Sequence, residues 1–540
     1  MLKISKYTLP CIIAISFFSC DNLLKEDSSD LLIPKSVDDY APILLGEGYP
    51  DKFNSQISFV NLMTDDVEMG PLDYDTEMVG DSKVTNWEEG IDPKAGYGQN
   101  AFIWQKDYQE NLSDLFWSGR YSNILACNTI IEALPTMTYA EKTQTGLYHK
   151  LAVQAYTLRA YHYFCLVNTY ALPYATENLN QPSVVLKTSS EIEVTSHERA
   201  TIGQVYALIN DDIKKAQEHL EGADTQASKM EITPEAVYFL AARIALFQND
   251  WDGVIKAAQK FLNLNESIYN LNDEKEALLG FNSTGVKDIG LEGPSYCANN
   301  TNLNEVIFAF GRNDNKILDY LSSTDTNLRY YEFGFHTSWT GDNALINLYD
   351  EDDLRKLAYF IRRYYKYGTA KKPSYYVGQY FTLKYDARSG NNYTSQAWRT
   401  PELYLNLAEA YAQKANGVSE DAIRILNQLR VKKYKSGSPN AEKTAADFSG
   451  KEDLIKFIWQ ERRRELCFEE IMRFWDMRRQ GMPAQEHWLF STKKNYEVYK
   501  LKNNSPNYVL SIPKDETSYN TAIINNFRET IGASSSGSLE

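Results

Sequence analysis

The segment FIWQERRRELCFEEIMRFWDMRR, from Phe457 to Arg479, carries the most specific pattern in this chain of 540 residues. Apolar residues recur in it at the spacing of an α-helix and would form a stripe along one helical face. Charged residues lie on the same face. Charges within an apolar stripe indicate half-buried ion pairs that fix the packing of a helix against its neighbours. We favour this structural interpretation over acid–base catalysis by Glu465 or Glu469, which stays the alternative. Five residues are expected to share one helical face: Ile458, Arg462, Glu465, Leu466 and Glu469.

Amphipathic helices with the same spacing are predicted on the N-terminal side of this segment. Thr233 and Thr400 are candidate N-caps, each followed by a first-turn proline, and Gly222 is a candidate C-cap. Small residues such as Ala242, Ala258 and Ala408 match tetratricopeptide-type hairpins, in which two helices approach closely. The predicted helices are 115–134, 148–170, 201–220, 234–247 paired with 251–264, and 401–415 paired with 420–431.

Long stretches rich in Asn, Gly, Tyr and Asp separate these helices, at 65–100, 265–345, 365–398 and 485–530. Irregular segments of this length are uncommon unless they bind something or are disordered. Their many aromatic residues argue against disorder. We therefore expect ordered excursions that decorate a helical core.

Composition and motifs exclude several functions. A net charge of −16 argues against nucleic acid as the main ligand, because phosphate backbones would be repelled. The chain lacks the phosphate-binding, nucleophile-elbow, zinc-protease and dinucleotide fingerprints. Its histidines and cysteines show no metal-ligand spacing, and Cys127 and Cys165 fit small buried apolar residues. No cofactor is expected, and a structural calcium ion in an acidic loop is not indicated.

The first twenty residues are typical of a secretory signal. Lys3 and Lys6 precede an apolar run that is too short to span a bilayer. The run ends at Ser19-Cys20, which fits a bacterial lipobox in which the cysteine is lipidated. An ordinary cleaved signal with a chance cysteine is the alternative. We assign 1–19 to the signal peptide, 20–40 to the lipidated cysteine and tether, and 41–540 to the folded body.

The segment around Glu465 resembles the C-terminal signature of the SusD/RagB family of bacterial surface lipoproteins. Glu461-Arg462-Arg463, Glu465-Leu466, Phe468-Glu469, Arg473, Asp476 and Arg478 match it, and Met477 replaces the usual leucine. The usual Gln-Asn-Pro-Gly near the end is replaced by Ile524-Asn525-Asn526-Phe527. Further family-like blocks follow the expected order: Phe116-Trp117 to Asn128, Gln154-Ala155 to Phe164, Thr169 to Tyr174, Asn304-Glu305-Val306-Ile307, Arg399 to Ala410, and Ile512-Pro513 to Asn520.

This resemblance implies a mostly α-helical, SusD-like body with tetratricopeptide-like hairpins and an irregular ligand-binding half. The body would be a single unit, with an N-terminal part at 41–265 and a C-terminal part at 266–540. The family implies a non-catalytic lipoprotein on the outer membrane surface. Such a protein captures glycans, or in some members peptides, and passes them to a SusC-like TonB-dependent transporter. An all-α glycoside hydrolase and a helical-repeat adaptor are the alternatives from other classes.

The resemblance also implies an aromatic arc, formed by loops after the first Asp-rich segment and after the Asn304–Ile307 strand. Flat rings stack on the apolar C–H face of a pyranose, while polar neighbours bind its hydroxyls. No motif aligns residue by residue in these loops, and packing of each ring under its own loop stays the alternative. The candidate ligand-binding residues are Tyr74, Asp75, Asn86, Trp87, Tyr97, Trp104, Tyr330, Tyr331, Trp339 and Asn343.

Overall fold

The structure is a computed structural model. It describes residues 34–71, 87–91, 93–109, 115–191, 193, 195–225, 228–276, 296–311, 330–369, 372–382, 384–385, 394–491 and 495–538. The signal peptide and Cys20 lie outside these residues, so both stay predictions. The end of the proposed tether is already folded, because a helix begins at Val37 behind a capping box formed by Ser36 and Asp39. Within the described ranges, no helix combines the length and apolarity needed to cross a bilayer.

Helices make up most of the described chain, and the predicted α-helical fold class is confirmed. Thr233 caps its helix through the Ala236 amide, as predicted. Gly222 does not act as a C-cap, because it ends a 3₁₀ turn, Leu220–Gly222, that continues the helix before it. In chain order the helices are α1 (Val37–Ile43), α2 (Phe53–Ile57), α3 (Pro93–Phe102), α4 (Phe116–Ala133), α5 (Thr145–Tyr170), α6 (Ile202–His219), α7 (Pro234–Phe247), α8 (Trp251–Leu262), α9 (Arg355–Tyr359), α10 (Thr400–Lys414), α11 (Glu420–Lys433), α12 (Lys451–Leu466), α13 (Met472–Arg479) and α14 (Lys514–Tyr519).

Pairs of antiparallel helices form the scaffold. Helix α5 packs between α4 and α6, α7 packs on α8, and α10 packs on α8, α11 and α12. Ala242, Ala258 and Ala408 are fully buried, as the hairpin pattern predicts, because only small side chains let two helices approach closely. The turn between α7 and α8 is sharp: Asn249 has a φ of 58°, and the Asp250 carboxylate caps α8 through the Gly253 amide.

Short strands occupy the stretches predicted to be irregular, and in this respect the prediction was wrong except at the strand-like block Asn304–Ile307, which overlaps the strand Val306–Phe310. Strand β4 lies at the centre of a three-stranded sheet, antiparallel to β1 and parallel to β2. Strands β3 and β7 pair, β5 and β6 form a hairpin, and β9 lies between β8 and β10. The strands are β1 (Val67–Pro71), β2 (Trp87–Ile91), β3 (Val306–Phe310), β4 (Tyr330–Thr337), β5 (Phe360–Thr369), β6 (Lys372–Thr382), β7 (Gln396–Arg399), β8 (Gln485–Phe490), β9 (Asn495–Leu501) and β10 (Ser535–Ser538).

The segment around Glu465 is not one continuous helix. Helix α12 ends at Leu466 and α13 begins at Met472, so the expectation that Glu469 shares the helical face of Ile458 was wrong. Phe468 and Glu470 between them have φ values of 60° and 48°, a left-handed conformation that no helix tolerates. The break lets Leu466 pack in the large helical core while Phe468 enters a second apolar core beneath the strands.

Candidate ligand-binding surface

The best-defined candidate surface lies where β4 ends beside β1. Trp339 follows β4 and is half-buried, with its ring centroid 6.3 Å from that of Tyr380 on β6. Its backbone is fixed, because the Asn347 side chain donates to the carbonyls of Trp339 (2.8 Å) and Gly341 (2.9 Å). Next to it, the Thr340 hydroxyl donates to the Glu68 carboxylate at 3.0 Å. A partly exposed aromatic ring therefore lies next to hydroxyl and carboxylate groups, on a backbone that hydrogen bonds hold in place.

Two arginines of the α12–α13 segment bind residues that flank this surface. Arg473 binds both carboxylate oxygens of Asp65, at 2.7 and 2.8 Å. Arg463 binds the Asp66 carboxylate at 2.6 Å and the Asn343 carbonyl at 2.8 Å. Burial acts to raise the pKa of Asp65, but these two guanidinium groups outweigh it and hold the pKa well below its ordinary value. Because Asp65 and Asp66 directly precede β1, these bonds fasten the candidate surface to the helical scaffold.

The structure brings together the two chain segments that the resemblance assigned to the aromatic arc. Strand β2 pairs with β4 so that Trp87 lies opposite Tyr330 and Glu88 opposite Tyr331. Tyr97 lies on α3, and Asn343 is exposed in the loop that follows Trp339. Tyr74, Asp75 and Asn86 lie outside the described residues. The roles of these residues in ligand binding stay predictions.

Trp104 has a different environment from the other candidates. Its ring is 1% exposed, its indole N–H donates to the Met63 carbonyl at 2.9 Å, and it stacks on His487 with centroids 4.2 Å apart. Such a ring has no exposed face for a ligand, and we leave it out of the surface proposed below. Conversely, sequence reasoning missed Tyr380, although the aromatic and β-branched residues concentrated at 375–381 favour a strand that could have found it.

Glu465 and Glu469, the acids considered for catalysis, lie in a buried ionic network. Glu465 is bound by Arg355 (3.2 Å), Arg399 (3.0 Å) and the Tyr359 hydroxyl (3.0 Å). Glu469 is bound by Arg399 and by Lys384, the latter at 2.6 Å. Both residues are at most 4% exposed. The structural interpretation of the charged stripe is therefore the one that the geometry supports.

The electrostatics of Glu465 oppose a role as a general acid. Burial acts to raise its pKa, but Lys433, Arg399 and Arg355 outweigh burial and lower the pKa to about 2. A general acid at neutral pH needs a pKa raised toward 7. Glu465 is instead permanently ionised and serves as a structural counter-ion.

A second buried network ties the helical scaffold to the break after α12. Arg243 on α7 pairs with Glu402 on α10 and, at 2.7 Å, with Glu470 in the break. The Tyr161 hydroxyl of α5 donates to the other oxygen of Glu470 at 2.6 Å. The adjacent acids Glu469 and Glu470 thus point into two different networks, one below the strands and one within the helical hairpins.

Metal and thiol chemistry find no support in the described part of the chain. There, no three His, Cys, Asp or Glu side chains are grouped so that they could hold a metal ion. Cys127, Cys165, Cys297 and Cys467 are all buried. Burial raises the pKa of the Cys165 thiol to about 12 and that of Cys467 to about 11, which keeps both protonated and unreactive.

Comparison with known families agrees with this architecture. A model described as the SusD family matches residues 320–528, which include the signature segment. A model described as "starch-binding associating with outer membrane" matches residues 58–246. The chain belongs to the SusD/RagB family. No curated protein matches it.

Solved structures of SusD-like proteins share the fold at low sequence identity. A SusD-like carbohydrate binding protein from Bacteroides vulgatus is 18% identical, with 91% of this chain and 97% of that chain covered and a TM-score of 0.62. A SusD superfamily protein from Bacteroides thetaiotaomicron is 17% identical, with 91% and 100% covered and a TM-score of 0.63. A SusD-like protein from Bacteroides fragilis is 18% identical, with 91% and 95% covered and a TM-score of 0.58.

In this SusD/RagB member the family signature has a structural explanation. Arg462 binds Asp476 at 2.7 Å and so clamps α12 against α13 across the break. Arg478 donates to the Ala171 carbonyl just after α5, which joins α13 to the helical hairpins. Glu305, from the Asn304–Ile307 block, binds Arg399 at 2.8 Å. Blocks that are distant in sequence are therefore joined by buried arginine side chains.

Proposed function

We propose that this SusD/RagB protein is a non-catalytic, lipid-anchored nutrient-binding protein of the cell outer membrane. It captures glycans and passes them to a SusC-like TonB-dependent transporter. Family membership supports this proposal, because the matched family is associated with the outer membrane and with carbohydrate binding. Cys20 is the proposed lipidation site, and a surface-exposed body hangs from it by the short segment before α1.

The observation that carries the proposal is the half-buried Trp339 beside Tyr380 and the Thr340–Glu68 pair. A pyranose has an apolar C–H face that stacks on an indole, and its hydroxyls need donors and acceptors at the ring edge. Trp339 supplies the flat surface, Glu68 the acceptor and Thr340 the hydroxyl. The strands β2 and β4 bring the remaining candidates, Trp87, Tyr330 and Tyr331, to the same sheet.

The absence of catalysis is proposed on the geometry of the acids. A glycoside hydrolase needs two carboxyl groups on opposite sides of the scissile bond. Glu465 and Glu469 are enclosed by arginine and lysine side chains and reach no open cleft. The buried positions of these two acids therefore argue against the hydrolase alternative.

Affinity gel electrophoresis of the mature protein against a panel of glycans and peptides tests the proposal. We expect retardation by at least one glycan, and Trp339→Ala should weaken that binding about tenfold, which corresponds to about 1.4 kcal/mol. Tyr519→Ala is the matched control, because Tyr519 is 88% exposed on α14 and belongs to no proposed site.

Each outcome of this experiment separates the alternatives. Retardation by peptides alone would identify a peptide-binding member of the family. New reducing ends after incubation with oligosaccharides would support the hydrolase alternative. Failure to bind any panel member, alone or with its transporter, would refute the proposal.

A further inference from the structure

A second aromatic platform lies on the sheet formed by β8, β9 and β10. Trp488 on β8 is 39% exposed and stacks on Tyr496 of β9, with ring centroids 4.4 Å apart and planes inclined by 16°. One face of the indole is covered by this tyrosine, so the exposed part is the opposite face and the rim. The indole N–H donates to the Glu486 carboxylate at 2.8 Å, which fixes the ring in its plane. The result is a flat, solvent-exposed aromatic surface with a fixed orientation.

Polar groups line the rim of the Trp488–Tyr496 platform. Glu486 and Lys500 are register partners on β8 and β9, and their charged groups pair at 2.9 Å while staying 43% and 58% exposed. The N–H of Trp488 and then Lys500 lower the pKa of Glu486, so this carboxylate is ionised at neutral pH. The rim thus offers an acceptor from Glu486 and a donor from Lys500 with little net charge.

The third strand keeps the platform flat. Gly537 on β10 is the register partner of Tyr496, and a Cβ atom at this position would overlap the tyrosine ring. Only glycine therefore lets the ring lie across the strand. The neighbouring residues of β10 are serines at 535, 536 and 538, so no bulky side chain of β10 rises beside the rings.

The platform is firmly attached to the body. Strand β8 lies against β1 of the candidate surface. On the opposite side of β8, His487 is buried and stacks on Phe102 with centroids 4.1 Å apart. Trp488 is therefore exposed on a strand whose other face is part of the core, which rules out a frayed edge as the cause of its exposure.

From this arrangement we infer that the Trp488–Tyr496 platform is a second glycan-binding subsite, which stacks one pyranose unit of a glycan chain. The inference rests on the proposed function and adds a site to it. A protein partner is disfavoured, because a protein interface needs a contiguous apolar centre of several aromatic or aliphatic anchors. Among the described residues of β8, β9 and β10, Trp488 is the one large apolar side chain that is strongly exposed. A single ring with an ion-paired polar rim fits one sugar unit.

Binding of oligosaccharides of increasing length and of the parent polysaccharide, measured by calorimetry and affinity gels, tests the subsite. Trp488→Ala in the mature protein should weaken polysaccharide binding about tenfold, whereas Trp488→Tyr, which keeps a flat ring, should restore most of the affinity. Tyr519→Ala is again the control for loss of an exposed ring. Thermal unfolding of each variant should stay within about 2 °C of the parent, because Trp488 packs only on the sheet surface.

The outcomes distinguish this inference from the proposed function. If the parent binds a glycan and Trp339→Ala weakens it while Trp488→Ala does not, the subsite is refuted and the proposed function stands. If Trp488→Ala leaves all glycan binding intact but weakens a complex with the transporter, the platform is a protein contact and the inference is wrong. If the parent protein binds no glycan, both fail together.

Discussion

The buried carboxylate of Glu465 should be worth about 3 kcal/mol of folding stability at neutral pH. Its pKa is about 2 in the folded protein against an ordinary value of 4.5. Since one pKa unit corresponds to about 1.36 kcal/mol, the ionised form is favoured in the folded state by about 3 kcal/mol. Glu465→Gln keeps the shape and removes the charge, so it should lower the free energy of unfolding by about this amount at pH 7. Urea unfolding followed by tryptophan fluorescence measures the difference.

The pH dependence gives this prediction its sharper form. A carboxylate with a depressed pKa in the folded state contributes its stability above pH 4.5 and loses it as the pH falls toward 2. The difference between the parent and Glu465→Gln should therefore shrink from about 3 kcal/mol at pH 7 to about 1.4 kcal/mol at pH 3. Lys433, Arg399 and Arg355 produce this effect, since they favour the ionised form.

A matched exposed substitution supplies the control. Glu218→Gln removes a carboxylate that is 61% exposed on α6, and it should change stability by less than about 0.5 kcal/mol at either pH. The reasoning is refuted if Glu465→Gln costs less than about 1 kcal/mol at pH 7, or if its cost does not depend on pH.

Three further predictions follow from the same structure. Arg463→Met should lower glycan affinity about tenfold and reduce the melting temperature, because Asp66 and the Asn343 carbonyl lose their donor; calorimetry and thermal unfolding measure the two effects. Burial lowers the pKa of His487 to about 4. As the pH falls, the unfolded chain therefore binds a proton at this histidine before the folded protein does, and stability falls between about pH 6.5 and 4. His487→Phe should flatten this part of the stability curve, and an unchanged slope would contradict the assignment. The thiols of Cys165 and Cys467 should resist a maleimide reagent at pH 8 in the folded protein and react only in denaturant, as mass spectrometry would report.

The helical scaffold could be predicted from the sequence because its signal is local. Helix α7 begins and ends at Pro234 and Phe247, as predicted, since the Thr233 cap and the first-turn proline are encoded within a few residues. Helix α5 differs from the prediction only at its start, Thr145 instead of Tyr148. Periodicity and capping depend on neighbours in sequence, so one chain suffices to read them.

Most strands and the break after α12 could not be predicted because distant contacts determine them. The spacing of charged and apolar residues continues through Cys467 without a glycine or proline to mark the end of the helix. The chain leaves the helix there because Leu466 and Phe468 pack in different cores. Trp104 presented the same difficulty at the candidate surface, since a ring buried against His487 and an exposed loop ring look alike in sequence.

The break after α12 also determines how the two halves of the molecule behave. Glu469 pairs with Lys384 below the strands, and Glu470 pairs with Arg243 among the helical hairpins. Any sliding of one half past the other would therefore leave a buried charge without its partner. Domain closure of the kind seen in hinged binding proteins is thereby disfavoured. We therefore expect the proposed ligand-binding surface to be preformed, so that little conformational entropy is lost on binding.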